Sequence, residues 1–377
     1  MDVIKESSMN KIPWAKPDYW GNEIKYVNDA LESTWISGGP YIDRLEEGFR
    51  KTLGINHVLA VSNGTTAIHL AFLGLNIQPN DEIIVPGFGF LAAANIATLM
   101  GARPVFTEVD KETWCMDPGD VERKISDKTK AIVPVHTYGN VCDMQPILEI
   151  ASKRNVPILE DCAESLFSRY QGKPSGVFGK VNTFSFQATK TITTGEGGLV
   201  VTNDDRMAEK MNLYRSHGMN RQKVIYWHEV PGHNFRLTNL QAALGVAQLE
   251  KADKIIAARK QVYETYCKFL KGVEGITLQR VNSDVDPVIW AVALKMSEDY
   301  FPQGRAEVMK GLLHLGIETR PGFYASSLLD IYERHSLPVC EEISKHVISL
   351  PSFPSLLKEE IEFICESLLN LKIRQTT

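Results

Sequence analysis

Asn182-Thr-Phe-Ser-Phe-Gln-Ala-Thr-Lys190-Thr-Ile-Thr-Thr-Gly-Glu-Gly-Gly198 is followed at once by the apolar run Leu199-Val-Val-Thr202. Lys190 stands among small and hydroxyl residues, with apolar segments on both sides. Such surroundings can hold an amine in a partly dry pocket, where its charged form is disfavoured and its neutral form is nucleophilic. The alternative is a surface lysine in a Gly/Thr-rich loop between two strands. This segment alone does not decide between the two interpretations.

The segments before Lys190 alternate between short apolar runs and amphipathic stretches. Strands are predicted over 57–62, 82–86, 104–109, 131–136 and 156–160, and helices over 19–32, 41–53, 67–75, 91–100, 118–125 and 144–154. Runs of Val and Ile that do not alternate with polar residues are typical of strands covered on both faces. The pattern therefore predicts an α/β fold with a mostly parallel sheet between layers of helices.

The chain after Lys190 has a different pattern. A long helical stretch over 240–270 is followed by a predicted strand over 288–294, a helix over 305–315, a strand and turn over 316–320, and a closing helix over 358–371. Strands and helices grouped in this way predict a smaller α+β domain beside the large one. We place the two domains at residues 1–251 and 252–377.

Three predicted strand ends carry polar or aromatic residues. Ser62-Asn-Gly-Thr-Thr66 links a strand to a helix start, a geometry that directs backbone N–H groups at an anion, although an ordinary helix N-cap has the same composition. Asp161 leaves an apolar strand and needs a cationic partner or a capping role. Phe90 is either a core aromatic or a platform for a ligand ring. In open α/β sheets, ligands collect at such strand ends.

Composition excludes several classes of function. The chain has 377 residues, of which 44% are hydrophobic and 23% charged, and its formal net charge of −5 is spread along the sequence. This balance does not favour nucleic acid or a membrane surface as a partner. The six cysteines have no CxxC pair, so neither a zinc site nor a disulfide framework is expected. With no apolar leader or membrane span in the sequence, we expect a cytoplasmic protein.

Taken together, the ordered motifs resemble one family. They are Ser62-Asn-Gly-Thr-Thr66, Pro86-Gly-Phe-Gly-Phe90, Glu160-Asp-Cys-Ala-Glu164, Phe184-Ser-Phe186 with Lys190, Gly195-Glu-Gly-Gly198 and Asn234-Phe-Arg-Leu-Thr-Asn239. The set is similar to the DegT/DnrJ/EryC1/StrS sugar aminotransferases, which use pyridoxal 5′-phosphate (PLP). The resemblance implies the fold-type I architecture, with a large domain built on a mostly parallel, seven-stranded sheet.

The resemblance also implies a role for each matching residue. Lys190 would bind PLP as a Schiff base and then move protons, and Asp161 would pair with the pyridinium nitrogen. Phe90 would stack on the ring, and Glu164 would lie near its phenolic edge. The phosphate would be held by Gly64, Thr65, Thr66, Ser185 and, from the neighbouring subunit, Asn234. Each active site would then be built from two chains of a homodimer.

Within the family, segments 226–236, 320–324 and 350–354 are similar to enzymes that aminate a GDP-linked 4-keto-6-deoxymannose with L-glutamate. The expected substrate-binding residues are Trp35, Ser37, His228, Arg236, Phe323 and Tyr324. The alternative is the same chemistry on a UDP- or dTDP-linked hexose or a GDP-linked keto-heptose. Outside this chemistry stand a PLP-dependent sugar dehydratase, whose known examples replace the lysine by histidine, and a non-catalytic regulator.

One turn departs from the family pattern. Many relatives have threonines in the turn that ends at the stacking aromatic, whereas this chain has Gly87 and Gly89. Hydroxyl contacts from those positions are lost. We expect the two glycines to let the backbone approach the ligand more closely.

Overall fold

The computed structural model describes residues 11–220, 224 and 226–373. Its helices are α1 Glu23–Glu32, α2 Pro40–Leu53, α3 Gly64–Leu75, α4 Ala92–Leu99, α5 Pro118–Lys124, α6 Met144–Arg154, α7 Asp205–Arg215, α8 Asn239–Leu249, α9 Ala252–Leu270, α10 Gly304–His314, α11 Pro338–His346 and α12 Lys358–Asn370, with short 3-10 helices at Thr137–Gly139 and Ser326–Leu328.

The strands are shorter than the helices. They are β1 His57–Val61, β2 Glu82–Pro86, β3 Arg103–Thr107, β4 Thr129–Ile132, β5 Leu159–Asp161, β6 Arg169–Tyr170, β7 Lys173–Pro174, β8 Val181–Ser185, β9 Gly198–Thr202, β10 Ile276–Leu278, β11 Val285–Asp286, β12 Ala293–Met296, β13 Arg320–Pro321 and β14 Val347–Ser349.

The larger of the two main sheets has seven strands. Strands β1, β9, β8 and β5 make one ladder and β3, β2 and β4 another. Parallel bridges from Ile132 to Ile158 and from Val135 to Asp161 join them, which gives the order β1-β9-β8-β5-β4-β2-β3. Among the described strands of this sheet, only β9 is antiparallel to its neighbours. The prediction of a mostly parallel, seven-stranded sheet in an α/β fold is confirmed.

The reversed direction of β9 places Lys190. Strands β8 and β9 are adjacent and antiparallel, with Ser185 opposite Gly198. The connection between them is therefore a loop that returns at the same edge of the sheet. The other six strands share one direction, so their carboxyl ends meet at that edge and surround the loop.

A second, antiparallel sheet lies in the C-terminal part of the chain, in the order β10-β12-β14-β13. Its core includes Tyr266 of α9, Leu294 of β12 and Ile364 of α12. Ile12 also belongs to this core and pairs with Ile317. The boundary between residues 251 and 252 stays a prediction.

Three local predictions were wrong. The strand predicted within 316–320 is a two-residue strand, Arg320–Pro321. The helical stretch over 240–270 is two helices, because α8 ends at Leu249 and α9 begins at Ala252. The strand predicted over 288–294 begins only at Ala293, where β12 starts. The residues before it bond elsewhere: the Trp290 N–H donates to the Tyr138 carbonyl at 2.9 Å, and the Val288 N–H donates to Ser168 Oγ at 2.8 Å.

In the described part of the chain, no helix is both long enough and apolar enough to cross a bilayer.

Candidate active site

Lys190 is a largely buried amine at the carboxyl edge of the large sheet. Its side chain is 13% exposed, and Nζ lies 3.7 Å from Glu164 Oε1. Nζ also lies 3.6 Å from the centroid of the Trp290 ring. Burial lowers the pKa of Lys190 below the ordinary lysine value, while Glu164 and Asp161 oppose that shift. A buried amine with a lowered pKa is suited to act as a nucleophile and as a base.

Asp161 ends β5 within the same cluster. Its carboxylate is buried, and Oδ1 accepts the Ala163 N–H at 3.1 Å. Burial raises the pKa of Asp161, and the nearby positive charge of Lys190 only partly opposes this. A carboxylate in such a place is stabilised by a cation bound beside it. The position therefore suits a group with a protonated ring nitrogen.

Glu164 has one satisfied oxygen and one that faces the site. Oε2 accepts the Tyr138 N–H at 2.7 Å. Oε1 is buried and has no hydrogen-bond partner among the described residues. Burial also raises the pKa of this carboxyl group. Because buried polar atoms are normally hydrogen-bonded, Oε1 indicates a ligand donor that belongs here.

The start of α3 forms an anion cradle. Asn63 caps the helix by accepting the Thr66 N–H at 2.8 Å, while Thr66 Oγ1 accepts the Asn63 N–H at 3.1 Å. The amides of Gly64 and Thr65 have no intrahelical partner at this position and are left for an anion. A Cβ on Gly64 would lie 2.9 Å from Ser185 Cβ, so this position in the cradle has room only for a glycine.

Phe90 is linked to the site through the rings of Phe323 and Tyr138. It is 59% exposed, and its ring centroid is 6.2 Å from that of Phe323 in an edge-on arrangement. Phe323 in turn stacks on Tyr138 at 5.1 Å. An exposed aromatic held beside other rings can act as a stacking platform.

The expectation of closer ligand approach is wrong for Gly87 and stays a prediction for Gly89, because only the space beside Gly87 is filled. A Cβ on Gly87 would overlap Leu337 Cδ1 and lie 3.1 Å from the Thr107 carbonyl oxygen. The space beside Gly87 is therefore filled by the protein itself. Gly89 has φ +144°, a backbone conformation that other residues rarely adopt.

The expected substrate residues lie on exposed loops. Trp35 is 67% exposed, and its carbonyl accepts from Asn239 Nδ2 at 2.7 Å; the Ser37 carbonyl accepts the Asn239 N–H at 3.0 Å. His228 Nδ1 pairs with the His217 carbonyl at 2.8 Å, and Tyr324 stacks under Arg305 at 4.8 Å. Among the described residues, none of these four expected residues has a hydrogen bond or ion pair with Lys190.

Asn234 and Arg236 lie on one return segment. The main chain at Asn234 bridges to Ser216, and that at Arg236 bridges to Val61 at the end of β1. Asn234 is exposed. Between them, the Phe235 ring stacks on His233 with a centroid separation of 4.4 Å. The segment thus presents Asn234 outward, while its neighbours fix it to the sheet edge.

Three residues of the site were not anticipated. Trp290 covers Lys190, Tyr138 holds Glu164, and Arg259 Nη1 donates at 3.0 Å to the Trp290 carbonyl. Burial lowers the pKa of Arg259 to about 10. Trp290 stands within an apolar run that predicted a plain strand, so no local signal marked it.

A buried cluster of His136, Glu160 and Cys162 lies behind Asp161. One potential ligand atom from each lies within 4.8 Å of the others. Glu160 already accepts the N–H groups of Gly176 and Phe178, and its Oε2 lies 3.0 Å from His136 Nε2. These bonds satisfy the carboxylate without a metal ion, and the expectation of no metal stays a prediction.

Comparison with known proteins places this geometry in a family. The family model described as DegT/DnrJ/EryC1/StrS aminotransferase matches residues 17–369. The chain belongs to the DegT/DnrJ/EryC1/StrS aminotransferase family. It is 42% identical over 367 residues to a GDP-perosamine synthase of Escherichia coli O157:H7, covering 96% of this chain and 98% of the relative. It is 40% identical over 364 residues to a GDP-perosamine synthase of Vibrio cholerae, covering 95% and 98%.

Solved structures agree with the family assignment. The PLP form of a putative sugar aminotransferase from Streptococcus pneumoniae superposes with a TM-score of 0.91 at 26% identity, covering 96% of this chain and 98% of that one. The expected family, fold and cofactor are confirmed: the chain is a PLP-dependent aminotransferase. Its residues fit that cofactor, because a buried amine, a buried carboxylate in need of a cation and a glycine-lined cradle converge at one edge.

Proposed function

We propose that this aminotransferase converts GDP-4-keto-6-deoxy-D-mannose to GDP-perosamine, with L-glutamate as the amino donor. The observation that carries the proposal is the buried Lys190 amine between Glu164 and Trp290, in a chain that aligns along nearly its whole length with enzymes named for that product. The named relatives support the choice of sugar, and the amine supports the chemistry.

Lys190 is the proposed catalytic residue. When bound, PLP supplies an aldehyde that exchanges amino groups and a ring that takes up electrons. Burial lowers the pKa of the Lys190 amine, which makes it easier for Nζ to release a proton and to transfer it within the same site. A histidine at this position, as in the alternative dehydratases, would lack the primary amine that this role needs.

The other proposed cofactor residues bind and orient PLP and do not take part in the chemical steps. Asp161 would pair with the ring nitrogen and favour a positive charge there, and Glu164 Oε1, which lacks a hydrogen-bond partner among the described residues, would accept from the ring's oxygen edge. Phe90 would stack on the ring. Gly64, Thr65, Thr66 and Ser185 would hold the phosphate at the start of α3.

A homodimer completes the proposed site. Asn234 points outward and would reach the phosphate held by the partner subunit. Trp35, Phe90 and Trp227 are 67%, 59% and 63% exposed, so their rings are available for a ligand or a second chain to cover. The nucleotide sugar would contact Trp35, Ser37, His228, Arg236, Phe323 and Tyr324 in this covered space.

We further propose a cytoplasmic location, where nucleotide sugars and glutamate are both available as substrates. The buried thiols of Cys115, Cys142 and Cys162 are unpaired, a state that a reducing compartment maintains.

The test is amino-sugar formation measured by mass spectrometry, with L-glutamate and parallel GDP-, UDP- and dTDP-linked 4-keto-6-deoxy sugars. We expect product from the GDP-linked mannose derivative at a kcat/KM well above that for the other two. Preferential amination of a UDP- or dTDP-linked sugar would move the assignment to that substrate. If glutamate aminates the bound cofactor but none of the three sugars is aminated, a 4-keto-6-deoxyhexose is rejected as the substrate.

A further inference from the structure

Trp290 makes two contacts with the segment that carries the proposed nucleophile. Its Nε1–H donates to the carbonyl of Thr189, the residue before Lys190, at 2.7 Å. Its ring lies under Lys190 Nζ, with 3.6 Å between Nζ and the ring centroid. One side chain thus contacts both the backbone and the amine of the same short loop.

Trp290 is itself fixed by three independent elements. Its N–H donates to the Tyr138 carbonyl at 2.9 Å, and its carbonyl accepts from the buried Arg259 at 3.0 Å. The ring also packs edge-on against Trp14, with 5.5 Å between centroids. Arg259 Nη2 additionally lies 3.4 Å from the Lys190 carbonyl. The indole is therefore a rigid support for the Lys190 loop.

The charges around Lys190 explain why the Trp290 ring face matters for its ammonium group. Burial disfavours the ammonium form, and Arg259 adds a like charge. Glu164 and Asp161 favour the ammonium form, yet the nearer carboxylate oxygen, at 3.7 Å, is beyond hydrogen-bond distance. An indole face attracts a cation through the ring quadrupole, most strongly where water is excluded. Trp290 therefore supplies an attraction that the carboxylates supply incompletely.

We infer that Trp290 is a positioning residue for Lys190, whose indole N–H holds the loop before the lysine and whose ring face receives the ammonium group when that side chain is free of the cofactor. The inference rests on the proposed role of Lys190. It gives a residue of the C-terminal part of the chain a role in the proposed proton transfers that acts through Lys190.

Two substitutions separate the two contacts. Trp290→Phe keeps a ring face and loses the N–H donor to Thr189. Trp290→Leu loses both, and its side chain differs little in bulk from that of phenylalanine. Trp20→Phe and Trp20→Leu are matched controls, because a lysine also lies over the Trp20 ring, with Lys254 Nζ 4.3 Å from the ring centroid, and because Trp20 packs against a different apolar cluster from Trp290. If the Leu variant of Trp290 does not fold, Trp290→Met replaces it.

The first readout is the acetylation of Lys190 by acetic anhydride in the apoenzyme, followed by peptide mass spectrometry across pH. Lys51, which is 72% exposed, serves as the internal standard. Without the ring face more of the amine is neutral, so near neutral pH we expect Lys190 to react about 3- to 30-fold faster in the Leu than in the Phe variant. At high pH, where both amines are neutral, the two rates should converge.

The role of the ring face would be overturned if the pH profiles of Lys190 acetylation coincided for the Phe and Leu variants. It would also be overturned if the ratio of their acetylation rates were the same at every pH. The second readout is PLP affinity measured by titration of the apoenzyme. We expect the Phe variant to bind PLP more weakly than wild type, and equal affinity would overturn the role of the N–H anchor. The Trp20 variants should leave the Lys190 profile unchanged.

A third readout separates positioning from folding. In the holoenzyme, we expect the Leu variant to lower kcat with little change in KM and to displace the pH profile of kcat, with partial rescue in the Phe variant. The labelling experiment uses no sugar, so it stands even if the proposed substrate is wrong. Wild-type protein that binds no PLP would instead reject the proposed function itself.

Discussion

Gly139→Ala is the substitution whose cost the structure defines best. Gly139 has φ +100°. A Cβ there would lie 2.5 Å from the Val288 carbonyl oxygen, 2.7 Å from the Trp290 nitrogen and 2.8 Å from Ile289 Cα. All three neighbours are backbone atoms, which cannot rotate away as a side chain can. The new methyl must therefore move the segment that carries Trp290.

The magnitude follows from two contributions. A non-glycine residue in left-handed backbone costs about 1–2 kcal/mol, and overpacking a closed interior costs about 1–3 kcal/mol more. We expect the free energy of unfolding of Gly139→Ala to fall by about 2–5 kcal/mol. Gly54→Ala is the control, because Gly54 has φ +65° and no atom within 4 Å of a built Cβ. Its cost should be the strain alone, about 1–2 kcal/mol.

The assay is urea unfolding of both apoenzyme variants, together with PLP titration. The unfolded-state entropy gain of a Gly→Ala change is common to both, so their difference isolates the overpacking. Gly139→Ala should be the less stable by about 1–3 kcal/mol and should bind PLP more weakly, whereas Gly54→Ala should keep wild-type affinity. Equal stability of the two variants would refute the packing of Gly139 against Val288–Trp290.

Other outcomes follow from single contacts. Lys190→Ala should bind PLP without a covalent link and give no turnover; sustained amino-sugar formation would contradict its role. Gly64→Ala, whose Cβ would lie 2.9 Å from Ser185 Cβ, should raise the Kd for PLP at least about tenfold, a loss of about 1.4 kcal/mol; an unchanged Kd would remove the phosphate from this cradle. Asp204→Ala loses the bond from the Met207 N–H at 2.9 Å that caps α7, together with a surface ion pair to Lys180, and should lower the free energy of unfolding by about 1–2 kcal/mol, with kcat unchanged. Because burial lowers the pKa of Lys190, wild-type apoenzyme should lose the protection of this amine from acetylation at a lower pH than a free lysine amine does; a profile equal to that of the free amine would contradict a buried site.

The parts of the site that the sequence predicted are those with local signals. Lys190 follows a strand in a loop of small residues, Asp161 ends a buried apolar run, and Gly64 starts a helix after a strand. Each of these depends on residues adjacent in the chain. The order of parallel strands then brings the three positions to one edge, as expected for this class of sheet.

The parts that the sequence did not predict depend on distant contacts. Trp290 is 101 residues from the carbonyl to which it donates, and its apolar neighbours favoured a strand. Gly87 invited a functional interpretation, but the space beside it holds Leu337, a residue far along the chain. Tyr138 orients Glu164 through its backbone N–H, and its φ of +62° has no sequence signature for a tyrosine.

Reduction of the holoenzyme with borohydride, followed by peptide mapping, tests the central claim most directly. The reagent fixes PLP to the amine that holds it, so the modified peptide identifies that amine. We predict a single phosphopyridoxyl group on Lys190, and none on Lys190→Ala protein treated in the same way. A group on a different lysine, or a cofactor that dissociates unreduced from wild-type enzyme, would contradict the assignment of Lys190 as the nucleophile of this aminotransferase.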